Sequence, residues 1–497
     1  MTRRMYRFLI VAGLVAPAIV PLATRASDCD GCGDRGCHAG TVADEFVADR
    51  FGLVREWIVR LPFASTAGQL EHVTVGDGLV VATAGDGSVH AIAASRRAPA
   101  QASGGQPPAP AGPDGAAPPA GQQPAGPALG SVLWSARLGT DSVQLPAGIG
   151  GNTVAVGGDL GIVALGADRG GVRWRQNVGT PAAAAVPVGD SVYMPLADGS
   201  IQRTLADPMR TAAAKRPAAE PAKAGRAGEA EKERRPRRDR RGAEAAPSQL
   251  ASDSQLPPTV DGGGRLAMPV LPFGTGIAWT TMNGLLVALD RTKTGWDRHE
   301  FDLLSAPVTA PLVRGRSIFV ATVGGDLARV DLPATGPRSL RTGWHTPLDG
   351  RPDAGPFLGG NTLLISLGDD GLAAFAADTG RPLWRCPVAG TVLAVGGDRA
   401  WLIDRVGRLS GIDLATGERR VRLCLGCLTV PIVNNVTDRL LLASADGLLV
   451  SLAPKRSIPD AFPGPTPAEP TKKKPRAGRA PEPEAEAAEP AAADADE

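Results

Sequence analysis

Three cysteines and a histidine fall within ten residues, Cys29-Asp30-Gly31-Cys32-Gly33-Asp34-Arg35-Gly36-Cys37-His38. Thiolate and imidazole are soft or borderline donors, so Cys29, Cys32, Cys37 and His38 could hold zinc tetrahedrally. The chain has six cysteines in all. An even number in an exported chain makes disulfides the default, so disulfides or unpaired thiols rank ahead of zinc. Haem ranks last. The run from Cys32 to His38 reads C-x4-C-H rather than C-x2-C-H, and so short a segment cannot wrap a porphyrin. A second close pair is Cys424-Leu425-Gly426-Cys427. A redox role would want a helix N-terminus to lower a thiol pKa, and the context is β. A local disulfide, or one with Cys386, fits better; bridges from the N-terminal segment remain open, because sequence does not assign connectivity.

Other reactive side chains form no constellation in sequence. His72, His90, His299 and His345 are scattered and suggest no triad, and carboxylates such as Asp86 and Asp446 sit in turns, where a turn role is sufficient. Those turns reveal the architecture. An Asp/Asn-Gly turn or near equivalent recurs at Asp86-Gly87, Asp159-Leu160-Gly161, Asp198-Gly199, Asn283-Gly284, Gly325-Asp326, Asp370-Gly371, Val406-Gly407 and Asp446-Gly447. Most are flanked by short β-prone runs such as Leu79-Val80-Val81-Ala82-Thr83, which is a hairpin signal. Gly161 to Gly199 is 38 residues, Gly284 to Gly325 is 41, Gly371 to Gly407 is 36 and Gly407 to Gly447 is 40. A period near 40 with several strands per unit predicts propeller blades, and the sustained 3.6-residue periodicity of a helical repeat is missing. The expectation is an all-β chain with an eight-bladed propeller, or seven blades if one weak unit fails, plus disordered inserts and tails.

The ends and inserts complete the outline. Residues 1–26 carry basic Arg3, Arg4 and Arg7, then an apolar stretch from Phe8 to Ala23 and small residues near Ala26-Ser27. This is the form of a secretory signal peptide; Pro17, Pro21 and the short apolar length argue against a transmembrane anchor, and Ala26-Ser27-Asp28 before Cys29 is not a lipobox. A Cys-rich segment (27–52) precedes a propeller over 53–456 and a charged tail over 457–497. Two strandless inserts, about 96–128 and 206–256, fall between hairpins and read as disordered loops. Net charge is +2, but Lys232 to Arg241 is a basic run and the tail ends in acids from Glu482 to Glu497. Such a loop is compatible with an acidic partner or with proximity to a membrane surface, and reads first as a solvated insert. Nucleic acid is excluded as a partner by export and by the lack of aromatics among the arginines.

Behind the hairpins lies a second signature, Ala164-Leu165-Gly166-Ala167-Asp168-Arg169-Gly170-Gly171-Val172-Arg173-Trp174, repeated as Ala374-Phe375-Ala376-Ala377-Asp378-Thr379-Gly380-Arg381-Pro382-Leu383-Trp384. Weaker copies are Ala288-Leu289-Asp290 with Thr294-Gly295-Trp296, and Ile412-Asp413 with Thr416-Gly417. Thr-Gly turns the chain into an outer strand, and the Trp is a plate able to bury ~150–250 Å² between sheets. Trp134, Trp174, Trp296, Trp344 and Trp384 occupy or approximate this slot, and Trp57 sits on Leu53–Val59, an orphan outer strand that would close the ring with the last unit. Here the chain resembles the pyrroloquinoline-quinone-like (PQQ-like) propeller repeat, A-x-D-x-x-T-G-K-x-x-W. The resemblance extends to the cofactor-free propeller scaffold of the outer-membrane β-barrel assembly machinery. It implies an exported, periplasmic or extracellular, non-catalytic propeller, monomeric and without cofactor, that binds a protein partner. The rival within the family is a PQQ-dependent dehydrogenase with calcium, which the sequence supports poorly: it has no adjacent Cys-Cys pair and no evident calcium or quinone constellation. A third reading is an envelope metal-binding protein working through Cys29, Cys32, Cys37 and His38.

Overall fold

A computed structural model describes residues 44–62, 69–95, 127–139, 145–158, 161–207, 257–292, 295–333 and 339–455. The signal segment, Cys29, Cys32, Cys37 and His38, most of both inserts and the charged tail lie outside the described residues.

The repeating turns fold into eight four-stranded antiparallel sheets. Taken in ring order, blade 1 is the composite one, and blades 2 to 8 span residues 70–137, 148–176, 186–261, 271–302, 312–347, 354–386 and 390–424. The first strand of each blade is innermost and the fourth outermost. Most second and third strands are largely buried, as in Leu79–Ala84 and Ser88–Ala93, because both faces of a blade meet a neighbour; Ser200–Leu205 in blade 4 is mostly half-buried. Outer strands alternate instead, so one face packs and the other meets water. Among the described residues no helix is long and apolar enough to cross a membrane.

Blade 1 closes the ring. Its first three strands come from the C-terminal part of the chain (Val430–Pro431, Leu440–Ala443, Leu448–Pro454), and Leu53–Arg60 adds the fourth by pairing antiparallel with Leu448–Pro454. This joint hides the two edges that an open ring would expose. A buried polar tie reinforces it: Arg439, its side chain 9% exposed, reaches Glu56 across the sheet at 3.3 Å, and Ser451 donates to the same carboxylate at 3.2 Å. The helix Glu45–Arg50 is capped by Asp44 and seals the seam, with Ala48 and Phe51 against the Trp401 cluster.

Strand direction alternates within a blade, so the connections sort into two rims. First-to-second and third-to-fourth connections share one rim. Second-to-third turns and the links to the next blade share the other, called here the turn rim. Both inserts fall after an Asp-Gly hairpin and interrupt a blade between its third and fourth strands, in blades 2 and 4. They therefore leave from the first rim, where the chain also enters at Asp44 and where Lys455 donates its amide to Gly52. Among the described residues, the ends of both inserts and of the chain lie on one rim.

Candidate functional site

Turn residues are ordinarily polar, so apolar side chains standing out at turn tips are informative. On the turn rim, Leu304 lies in the link from blade 5 to blade 6 and is 88% exposed; Met282 and Val323, each 45% exposed, lie in the second-to-third turns of the same two blades. The three are structurally joined. The Leu303 amide donates to the Gly284 carbonyl at 2.8 Å, the Ser305 hydroxyl accepts from the Gly324 amide at 3.0 Å, and the Val323 amide donates to the Ala306 carbonyl at 2.8 Å. Leu304 itself has φ +63°, left-handed backbone that a branched aliphatic residue rarely adopts. Its amide donates to Asp302 at 2.8 Å, which helps fix the bend. The result is a braced apolar knob between two turns. Sequence reasoning missed it, since a Leu-Leu pair before Ser-Ala-Pro reads as core; only the strand boundary at Asp302 separates buried Leu303 from exposed Leu304.

The tryptophans hold the blades that carry this rim. The Trp134 indole N–H donates to the Ala167 carbonyl of the next blade at 2.9 Å, Trp174 to Ala206 at 3.2 Å, Trp344 to Ala377 at 3.0 Å and Trp384 to Leu414 at 2.8 Å. The Trp134, Trp344 and Trp384 rings lie over the following blade's turn, where a glycine both takes positive φ and leaves room. A Cβ on Gly380 (φ +71°) would lie 2.5 Å from Trp344, and one on Gly417 (φ +75°) 2.6 Å from Trp384. Trp57 sits in the same way on Gly130. Trp296 differs. It stands opposite Arg291 and packs back toward blade 4 beside Trp279, while the residue opposite Ala288, in register with the other slots, is His299. A signal was present in the spacing: Trp134, Trp174 and Trp384 follow Gly130, Gly170 and Gly380 by four residues, and four after Gly295 is His299.

Cys386 is a buried free thiol in the packing between blades 7 and 8. Cys424 ends the outer strand of blade 8 and Cys427 follows the Gly426 turn, both half-buried, with Cys427 against the cluster around Trp401. Among the described residues no group of three His, Cys, Asp or Glu side chains could hold a metal ion. The eight inner strands carry a single carboxylate, Glu71; the rest are runs such as Gly148-Ile149-Gly150, Val186-Pro187-Val188 and Leu271-Pro272-Phe273. One carboxylate is too few to seat calcium beside a quinone on the axis, so these residues do not fit that cofactor. A cavity of about 240 Å³ opens instead on the first rim, between Leu358, Val395 and the loop 434–438.

Comparison with known proteins agrees with this geometry. A family model described as outer membrane protein assembly factor BamB matches residues 125–208 and 333–456. The chain carries a PQQ-like propeller domain that resembles BamB. Among curated proteins none matches. Of solved structures, BamB from Moraxella catarrhalis aligns over 82% of this chain and 99% of its own at 18% identity, with a TM-score of 0.52. A computationally designed protein, Ika8, aligns over 78% and 96% at 11% identity and a TM-score of 0.47. AztD from Citrobacter koseri aligns over 72% and 86% at 11% identity and a TM-score of 0.44. At these identities the likeness concerns the fold. The matched stretches hold three of the Trp-over-glycine contacts, at Gly170, Gly380 and Gly417.

Proposed function

We propose that this protein is an exported, non-catalytic scaffold of the cell envelope, periplasmic or associated with the outer membrane, that docks a partner protein on its turn rim at blades 5 and 6. The observation that carries the reading is Leu304, an aliphatic side chain braced in left-handed backbone and standing in solvent between Met282 and Val323. Such a knob suits an apolar depression on a partner, because preformed anchors lose little freedom on binding. The occupant is read as a separate protein, because the described ends of both inserts and of the chain lie on the opposite rim. The family likeness to an assembly factor supports the same class of role.

The test is a photo-crosslinking side chain placed at position 304 in the native envelope, with position 46 on the other rim as control. Phe46 is 73% exposed, so exposure alone does not distinguish the two. One dominant protein adduct from 304, lost when Met282 and Val323 are both changed to Asp, is expected. Equal adducts from both positions, or none from 304, would sink the docking face, and recovery of the protein in the cytoplasmic fraction would sink the envelope assignment. The N-terminal set Cys29, Cys32, Cys37 and His38 stays a proposal for zinc, and Cys424–Cys427 a proposal for a local disulfide. Metal analysis of the full chain and peptide mapping without reductant decide these.

A further inference from the structure

A chain of four side chains in blade 2 joins a carboxylate to an exposed serine. Asp86 Oδ1 accepts from the Ser88 hydroxyl at 2.5 Å and from the Ser88 amide at 2.9 Å; His90 Nε2 lies 3.1 Å from Ser88 Oγ; His90 Nδ1 lies 2.8 Å from Ser135 Oγ. Asp86, Ser88 and His90 are buried, and Ser135 is exposed on the outer strand. Strand pairing makes the arrangement, since His90 and Ser135 are opposite one another in the register of the third and fourth strands.

The charge on Asp86 sets the direction of these three side-chain hydrogen bonds. Burial works against its ionisation, but the Ser88 hydroxyl and amide, with Arg137 and His90 nearby, hold its pKa below the usual carboxylate value. An ionised carboxylate only accepts, so the Ser88 hydroxyl donates to it. Ser88 Oγ then accepts from His90 Nε2–H, which leaves Nδ1 unprotonated. The Ser135 hydroxyl must therefore donate to His90 Nδ1. Burial also pushes the imidazole pKa down, against the pull of Asp86, so the ring stays neutral and basic at neutral pH. A hydroxyl donating to a neutral imidazole is the arrangement that activates serine nucleophiles; here the far nitrogen is oriented by the Ser88 hydroxyl, which Asp86 in turn holds.

We propose that Ser135 is a base-activated nucleophile that accepts an acyl group from an activated ester, with His90 as the general base and Ser88 and Asp86 as positioning residues. In the step, Ser135 Oγ forms a bond to the carbonyl carbon, the bond from that carbon to the leaving oxygen breaks, and the hydroxyl proton passes to His90 Nδ1. The leaving group departs as its alkoxide or phenolate. The proposal concerns acceptance of one acyl group and is independent of docking at Leu304, on blades 5 and 6.

The probe is p-nitrophenyl acetate on the full chain, with the acetylated peptide located by mass spectrometry and nitrophenolate release followed by absorbance. Acetylation is expected at Ser135, lost in Ser135→Ala and slowed about 100-fold in His90→Gln, the scale of a general base. Its rate should fall as the pH is lowered, with a midpoint below pH 6.5, because burial of His90 outweighs the pull of Asp86. Because His90→Gln removes a buried hydrogen-bonding group, Ser88→Ala is the second variant; it keeps the imidazole but breaks the line to Asp86, and about a tenfold slowing is expected in protein whose thermal melt is retained. The proposal is overturned if Ser135 reacts no faster than other serines of the chain, or if folded Ser88→Ala and His90→Gln both react at the unsubstituted rate.

Discussion

The contact between blades 2 and 3 and the contact between blades 5 and 6 meet the same packing demand with opposite chemistry. At the first, Trp134 lies over Gly170 and donates to the Ala167 carbonyl, so one side chain supplies both apolar area and the hydrogen bond. At the second, His299 holds the slot, and its buried Nε2 finds no partner among the described residues. The carbonyl equivalent to Ala167, that of Leu332, accepts instead from Arg316 Nε at 2.8 Å. Arg316 in turn bridges to Asp290 of blade 5 at 2.9 Å, with the Asp290 side chain only 4% exposed. Polar ties can thus replace an aromatic plate, but they leave one atom orphaned and make the contact depend on charge. The blade pair held in this way is the pair that presents Leu304.

The largest effect should come from the plate. Trp134→Ala is expected to cost about 3–5 kcal/mol, the range for emptying a large aromatic site. His299→Ala, which also relieves an unsatisfied nitrogen, should cost clearly less, about 1 kcal/mol. Denaturant melts of the two variants decide this, and equal losses would break the contrast. Next comes the glycine under the plate. Gly380→Ala meets left-handed backbone and the Trp344 ring together, and about 3 kcal/mol of loss is expected. Gly315 has a similar φ of +61° with nothing within 4 Å of a Cβ, so Gly315→Ala isolates the backbone part, about 1 kcal/mol. If both cost the same, the close approach to Trp344 contributes nothing. The smallest effect belongs to the ion pair. Arg316→Ala should cost about 1–2 kcal/mol, reduced from the buried-pair range because Arg316 is partly solvated. The midpoint difference between Arg316→Ala and the unsubstituted protein should shrink as salt rises, whereas that of Trp134→Ala should not.

How far the sequence could be read follows from how local each signal is. Asp198-Gly199 and Asn283-Gly284 announce their own turns, because the backbone demand and the residue that meets it are adjacent. The period of those turns made the eight blades and the closing strand Leu53–Arg60 legible. The position of Trp384 four residues after Gly380 defined a slot, yet at blade 5 the eye-catching Trp296 hid His299, which alone keeps that spacing. The relay through His90 was not legible. His90 and Ser135 are 45 residues apart, with a strandless insert between them.

Sequence by itself determined the repeat, the all-β class and which residues could plug one blade into the next, since turns and alternation are encoded over a few neighbouring residues. Tertiary structure alone decided that Glu56 meets Arg439 across 383 residues. It also decided that the inserts leave by one rim, that Leu304 faces water while Leu303 does not, and that Ser135 is aligned with a buried imidazole. The reason is physical: these outcomes depend on strand register and ring closure, which arise from the packing of all eight blades and from no single segment.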